Sequence, residues 1–379
     1  MSLILNEEQT MLRESARDFL AAQSPVSALR ALRDTEDPMG FSRPLWEQFA
    51  AMGFSGMLVP EDLGGVGLGH VEAGVVMEQI GRNLVASPLL ASSIVAVTAL
   101  RCGANAQQRE RWLPKLASGV SIATLAIDES SKHRPSHITV HGTFENDQLL
   151  IDGAKTFVLD AHVADLFIVA VRTAGAPLGS TGITLCLVNS KAPEVSVERT
   201  VMTDSHNAGR VHFHNLRVSA SEILGTPNNG AEILREALDA GRVAAAAELL
   251  GVADEAFSRT VEYLKQRRQF GRLIGEYQAL QHRAAVLYTE LEVTRAAVVN
   301  AQHHMDQKSE SAGLFVALAK ARAGKSATLA VQEAVQLHGG IGMTDEFDIG
   351  FFMKRARVLQ ELFGDSNFHL NHLAQLRGY

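Results

Sequence analysis

The stretch Tyr263-Leu264-Lys265-Gln266-Arg267-Arg268-Gln269-Phe270-Gly271-Arg272 places four cations within eight positions. We interpret Gly271 as the end of a helix, with Tyr277 near the start of the next helix. Cations at a helix C-terminus complement the helix dipole, which is a purely structural explanation of the pattern. The alternative is an anion-binding site, because guanidinium groups offer a planar fork of donors that suits a diphosphate.

A second stretch, Gln336-Leu337-His338-Gly339-Gly340-Ile341-Gly342-Met343, is rich in glycine. Gly339 is a suitable residue to stop a helix. The functional interpretation is that backbone without side chains lets a cofactor approach closely. A dinucleotide-binding Rossmann fingerprint is excluded, because no strand precedes the glycines and their spacing differs.

Outward from these stretches, the 379-residue chain divides into three zones. Helical periodicity dominates residues 1–120 and residues 227–379, whereas short β-branched runs dominate residues 121–226. We therefore predict an α+β fold with an N-terminal helical domain, a middle antiparallel β domain and a C-terminal helical bundle, over those three ranges.

Local signals mark individual elements within these zones. Asn6 is a suitable N-cap for the first helix. The runs Gln148–Val158 and Leu166–Val171 are typical of strands, with turn signals at Asn146-Asp147 and Asp152-Gly153.

The composition narrows the class of protein. A net charge of −7, from 35 Lys and Arg against 42 Asp and Glu, argues against a general nucleic-acid binder. Two cysteines exclude a disulfide framework and favour a reducing compartment, and Cys186 is expected in a buried strand because it lies in an apolar run. No segment approaches the ~18 apolar residues of a membrane span, and the N-terminus does not look like a targeting signal. We expect no membrane span and a cytoplasmic location.

Taken together, the two stretches resemble the acyl-CoA dehydrogenase family. The similarity also extends to Asn6–Gln9, Pro60–Gly67, Gln108–Pro114 and Phe213–Val218, in the family's order across the three zones.

The resemblance implies FAD bound between subunits of a dimer or tetramer, with an acyl-CoA substrate and an electron-transfer acceptor. The implied cofactor-binding residues are Arg267, Gln269, Phe270, Gln278, Gln336, Gly339, Gly340 and Asp365. Arg242 matches an arginine near the thioester end of the substrate pocket. The implied reaction is α,β-desaturation, in which a carboxylate removes the α-proton and the β-hydrogen leaves as hydride to the flavin.

The general base is where this sequence departs from the family. The family glutamate that follows the glycine segment is replaced by Phe363, and the alternative position, just before Arg242, holds Gly241. Asp365 and Glu248 are candidate replacement bases. Their structural alternatives are a helix N-cap for Asp365 and an ordinary paired carboxylate for Glu248.

Two further departures fall in the β zone. The family's glycine-containing Thr-Glu-Pro-Gly-Ala-Gly-Ser-Asp loop is replaced by Asp128–Pro135, and its Trp-Ile-Thr reads Phe157-Val158-Leu159. Of the histidines, the His212 and His214 pair and the His369 and His372 pair each lack an evident third metal ligand, so we predict no metal site.

Three functions remain open from the sequence. The first is an FAD-dependent acyl-CoA dehydrogenase. The second is a non-catalytic or half-active subunit that pairs with a glutamate-bearing paralogue, as some glutamate-lacking family members with Phe-Gly-Asp do. The third is another flavin reaction on the same fold.

Overall fold

The computed structural model describes residues 3–379. The α-helices are α1 (Glu7–Gln23), α2 (Val26–Asp34), α3 (Arg43–Ala51), α4 (His70–Asn83), α5 (Val97–Gly103), α6 (Ala106–Ala117), α7 (Ala231–Gln266), α8 (Gln278–Asp306), α9 (Ala312–His338), α10 (Ile349–Glu361) and α11 (Ser366–Arg377). The strands are β1 (Ala123–Ala126), β2 (His141–Glu145), β3 (Gln148–Leu159), β4 (Leu166–Arg172), β5 (Ile183–Asn189), β6 (Val195–Val201), β7 (Asn207–Ser219), β8 (Ile223–Leu224), β9 (Arg268–Gln269) and β10 (Arg272–Leu273). This order of helices, sheet and helices confirms the predicted α+β class.

The chain folds into two compact units that interleave along the sequence. The helical unit combines the N-terminal segment up to Ala31 with His70–Val85 and Arg242–Tyr379. The sheet unit combines Leu32–Gly69 with Ala86–Gly241.

The helical unit is organised around α9. This helix packs against α8, α10 and α11, while α4 packs against α1 and α8. Helix α1 begins as predicted: the Asn6 side chain accepts from the Gln9 amide at 2.8 Å, and the Gln9 side chain accepts from the Asn6 amide at 3.0 Å. This capping box satisfies two backbone donors that the first turn leaves unpaired.

Two glycines let α4 and α7 approach each other closely. A Cβ on Gly81 would lie 2.2 Å from the Glu248 carbonyl oxygen, and one on Gly251 would lie 1.9 Å from the Glu78 carbonyl oxygen. Both contacts are with backbone atoms, which cannot rotate away as a side chain could. The crossing of the two helices therefore requires glycine at both positions.

The sheet unit contains an eight-stranded sheet. Its main path is β6-β7-β3-β2-β4-β5-β8, and β1 pairs with β4. Most pairings are antiparallel as predicted, but β1 and β2 each pair with β4 in parallel. Cys186 lies fully buried in β5, which confirms its predicted place in a strand.

Of the two turns predicted in this sheet, one forms and the other does not. Asn146 and Asp147 have φ of 47° and 61° and join β2 to β3 in a tight hairpin, as predicted. The prediction of a turn at Asp152-Gly153 is wrong. Gly153, with φ of 137°, marks a register shift within β3 against β7, because the same residue types also permit a β-bulge.

The interpretation of Gly271 as a helix end is also wrong. Helix α7 ends at Gln266, and Gly271 lies in the turn of the β9–β10 hairpin with φ of 81°.

Within residues 3–379, no helix is long and apolar enough to cross a membrane.

The helix crossing gives a test of the packing argument. Gly251→Ala should lower the free energy of unfolding by about 1–3 kcal/mol, because the added methyl overpacks the crossing. Gly350→Ala is the matched control: it lies in α10 with no atom within 4 Å of its added Cβ, so up to ~1 kcal/mol of stabilisation is expected. Urea unfolding measures both, and equal effects of the two variants would contradict the close crossing.

Candidate functional site

An exposed cationic hairpin follows the end of α7. Its turn is Phe270-Gly271, and Phe270 is 91% exposed with φ of 51°. Within residues 3–379, neither Arg267 nor Arg268 has a carboxylate at ion-pairing distance. Unpaired guanidinium groups beside an exposed aromatic ring are suited to an anionic, partly aromatic ligand. Gln278, the first residue of α8, is also exposed.

The glycine segment lies in the same unit. Helix α9 ends at His338, and Gly339 has φ of 64°, which confirms its predicted role as a helix stop. No atom lies within 4 Å of a Cβ built on Gly339 or Gly340, and Gln336 is exposed. This part of the chain therefore presents bare backbone to its surroundings.

A ring contact brings the two decisive stretches together. The ring of Tyr263, in the last turns of α7, lies 4.5 Å from the ring of His338, and Phe347 lies 4.7 Å from it. The His338 Nδ1 lies 2.7 Å from the Ala334 carbonyl oxygen, and burial lowers the pKa of His338 below its ordinary value. At neutral pH the imidazole is therefore uncharged and packs as an aromatic group.

Phe363, where the sequence resemblance predicts the base position, lies in a constrained loop. Phe363 is only 8% exposed and has φ of 58°, an unusual conformation for an aromatic residue. The Nε of Arg242 donates to the Phe363 carbonyl oxygen at 3.2 Å, and the Arg242 guanidinium lies 5.6 Å from the Phe368 ring. Arg242 itself is buried, so its charge is held against this loop.

Both candidate replacement bases are engaged elsewhere. The Asp365 side chain accepts from the Phe368 amide at 2.7 Å and forms the N-cap of α11. Glu248 is 1% exposed and pairs with Arg355 at 2.5 and 2.7 Å. The contacts therefore support the structural interpretation of each residue: Asp365 is a helix N-cap and Glu248 is a paired carboxylate.

Sequence reasoning missed a buried lysine beside the same loop. Lys320, in α9, is 1% exposed and donates to the carbonyl oxygens of Leu359, Gln360 and Gly364 at 3.0 to 3.1 Å. Its signal in the sequence was weak, because an isolated lysine in an alanine-rich helix normally faces solvent.

A second buried cation anchors the loop in the sheet unit that replaces the family's glycine-containing segment. Lys155, fully buried in β3, pairs with Glu129 at 2.5 Å, and Glu129 also accepts from the Thr139 and Val140 amides. Burial would raise the pKa of Glu129, but Lys155, the Thr139 hydroxyl and the Val140 amide lower it below its ordinary value. Glu129 is therefore ionised at neutral pH and ties residues 129–140 to the sheet.

The neighbouring departure at Phe157-Val158-Leu159 also has a distinct backbone. Phe157 has φ of 54° and lies at a register shift of β3 against β7, between Lys155 and Val158.

The histidine rings of His212 and His214 stack with their centroids 6.0 Å apart on one side of β7. Residues 3–379 contain no group of three or more His, Cys, Asp or Glu side chains that could hold a metal ion.

Comparison with known proteins decides the family. Three family models match in order: the acyl-CoA dehydrogenase N-terminal domain over residues 6–120, the middle domain over 131–216 and the C-terminal domain over 228–376. The mitochondrial isovaleryl-CoA dehydrogenase of Pongo abelii is 30% identical over 369 residues, which cover 94% of this chain and 85% of that protein. This chain belongs to the acyl-CoA dehydrogenase family.

Other relatives show the range of the family. The 3-(aryl)acrylate reductase of Clostridium sporogenes is 30% identical over 371 residues, covering 96% of this chain and 97% of the relative. The solved ChsE4-ChsE5 complex of Mycobacterium tuberculosis contains a chain that is 25% identical, with a TM-score of 0.89 over 100% of this chain and 99% of that chain.

Membership in the acyl-CoA dehydrogenase family makes this chain an FAD-dependent flavoprotein of the acyl-CoA dehydrogenase type. The structure offers groups that fit FAD. Among the described residues, no carboxylate competes for Arg267 and Arg268, and the open glycine backbone leaves room for a large cofactor.

Proposed function

We propose that this chain supplies the flavin-binding and thioester-binding parts of an acyl-CoA dehydrogenase whose general base comes from a glutamate-bearing partner chain. The observation that carries the proposal is that both candidate replacement carboxylates are already engaged: Asp365 caps a helix N-terminus and Glu248 pairs with Arg355. The sequence resemblance supports it, since it predicts Phe363 and Gly241 at the two usual positions of the base.

The flavin-binding role is assigned to the exposed groups of the helical unit. Arg267 supplies a charge for the diphosphate, Phe270 an aromatic surface, and the bare backbone at Gly339 and Gly340 a close approach. The full proposed set is Arg267, Gln269, Phe270, Gln278, Gln336, Gly339, Gly340 and Asp365. When bound, FAD would accept the hydride in the family's reaction.

Arg242 is proposed to lie near the substrate thioester, where a buried positive charge would favour a developing enolate. Its Nε donates to the Phe363 carbonyl oxygen, which fixes the guanidinium beside this loop.

The resemblance implies FAD bound between subunits, and Phe270, one of the proposed flavin residues, is almost fully exposed in the single chain, which supports an oligomeric assembly. We propose a dimer or tetramer, as a homomer or with a glutamate-bearing paralogue, built from three domains over residues 1–120, 121–226 and 227–379. An electron-transfer protein is the proposed acceptor, and the cysteine content favours the cytoplasm.

The flavin assignment is tested by Arg267→Met. Because a hydrogen bond to a charged group is worth about 1.5–3 kcal/mol, we expect FAD to bind roughly 10-fold more weakly or worse. Arg210→Met is the matched control, since Arg210 is exposed on β7 in the sheet unit. Titration of flavin fluorescence measures both, and an unchanged FAD affinity in Arg267→Met would remove Arg267 from the site.

The partner requirement is tested by turnover of the chain alone with an artificial electron acceptor and a panel of acyl-CoA thioesters. We expect activity far below the ordinary enzymatic range of about 1–10³ s⁻¹. Gly241→Glu should raise it by up to about 10²–10⁴-fold, which is the contribution of a positioned base. Gly241→Gln is the neutral control and Phe363→Glu the second rescue variant. Ordinary turnover by the unmodified chain would defeat the proposal.

A further inference from the structure

Lys320 uses all of its hydrogen-bonding capacity on main-chain carbonyl groups. A protonated lysine has three donors and no acceptor. Its three acceptors are Leu359 O, Gln360 O and Gly364 O. With three acceptors satisfied and 1% exposure, the protonated ammonium group has no donor left for a ligand.

The three carbonyls belong to one short piece of chain. Leu359 and Gln360 lie in the last turn of α10, where helical carbonyls lack partners within the helix. Gly364 lies three residues beyond the end of that helix. Lys320 therefore caps the C-terminus of α10 and ties it to the loop that leads into α11.

This loop has a conformation that needs external support. Phe363 and Gly364 have φ of 58° and 105°, and an aromatic residue reaches that region only at a conformational cost. Arg242, from α7, holds the carbonyl of Phe363, and Lys320, from α9, holds the carbonyl of Gly364. Two buried cations from different helices thus fix two consecutive peptide groups.

We propose that Lys320 is a positioning residue that holds residues 362–365 in the conformation required at the flavin and substrate site. The inference rests on the proposed flavin role of Asp365, which begins α11 immediately after this loop. Lys320 acts through the backbone and touches neither ligand.

The charged groups around Lys320 shift its pKa and so make the stability of the folded chain depend on pH. Burial first, and then Arg242 from α7, lower the pKa of Lys320 to about 7, while Asp365 before α11 and Glu361 from α10 oppose the shift. In the unfolded chain the pKa returns towards 10.5, so the unfolded chain binds more protons between these values. Lys320 therefore reduces stability below pH 7, and this cost is relieved as pH rises towards 10.5.

The experiment compares the unmodified chain with Lys320→Met, Lys320→Gln and the control Lys354→Met, which removes an exposed lysine from α10. Backbone amide exchange of residues 362–365 is followed by mass spectrometry without flavin, and FAD affinity and the absorbance spectrum of bound flavin are measured separately. All readings are taken where each variant is folded.

Below pH 7, where Lys320 is protonated, we expect the 362–365 amides of Lys320→Met to exchange about 10-fold faster or more, because hydrogen bonds from a charged donor are lost. FAD affinity should fall by a similar factor, with a shifted flavin spectrum. Lys320→Gln, which keeps an amide donor without a buried charge, should lie between Lys320→Met and the unmodified chain. Lys354→Met should match the unmodified chain, and the rise of stability above pH 7 should disappear only in the Lys320 variants.

Each outcome decides the proposal. Unchanged amide exchange in both Lys320 variants would overturn the proposal. Faster exchange with an unchanged FAD affinity and flavin spectrum would also overturn it, because Lys320 would then be a purely structural residue. If Lys320→Met does not fold, Lys320→Gln provides the same readings. A chain that binds no FAD would contradict the proposed function instead, and the exchange of residues 362–365 would still decide whether Lys320 holds the loop.

Discussion

Two hydrogen bonds from buried cations to consecutive carbonyl groups fix the loop between α10 and α11. Arg242 holds Phe363 and Lys320 holds Gly364, so α7 and α9 together set the path from α10 to α11. Because the cations act on the main chain, they hold the loop whatever side chain stands at position 363.

Much of this architecture could be predicted from local sequence signals. The capping box at Asn6, the hairpin at Asn146-Asp147 and the helix stop at Gly339 depend on residues close in sequence, which is why they were predictable. The errors at Gly153 and Gly271 have a common cause. A glycine with positive φ serves a bulge, a hairpin or a helix end equally well, and only the strand pairing around it decides.

Some features of the candidate site could also be predicted from the sequence, and others could not. The cationic hairpin and the glycine segment were identified from their residue types, whereas Lys320 and the Glu129–Lys155 pair were not, because their partners are main-chain atoms or residues more than 20 positions away. Burial of a charge is a property of the folded chain. The same limit explains why the sequence left Asp365 and Glu248 open as candidate bases, whereas the contacts show a helix cap and a paired carboxylate.

The central claim is that this chain binds flavin and acyl-CoA but lacks the base that removes the α-proton. Exchange of that proton is the most direct test, because it requires the base and no electron acceptor. The FAD-loaded chain is incubated with an acyl-CoA in D₂O, and deuterium at the α-carbon is followed by NMR. The account predicts incorporation no faster than without protein for the chain alone. Incorporation well above that background would contradict it and would show that the chain carries its own base.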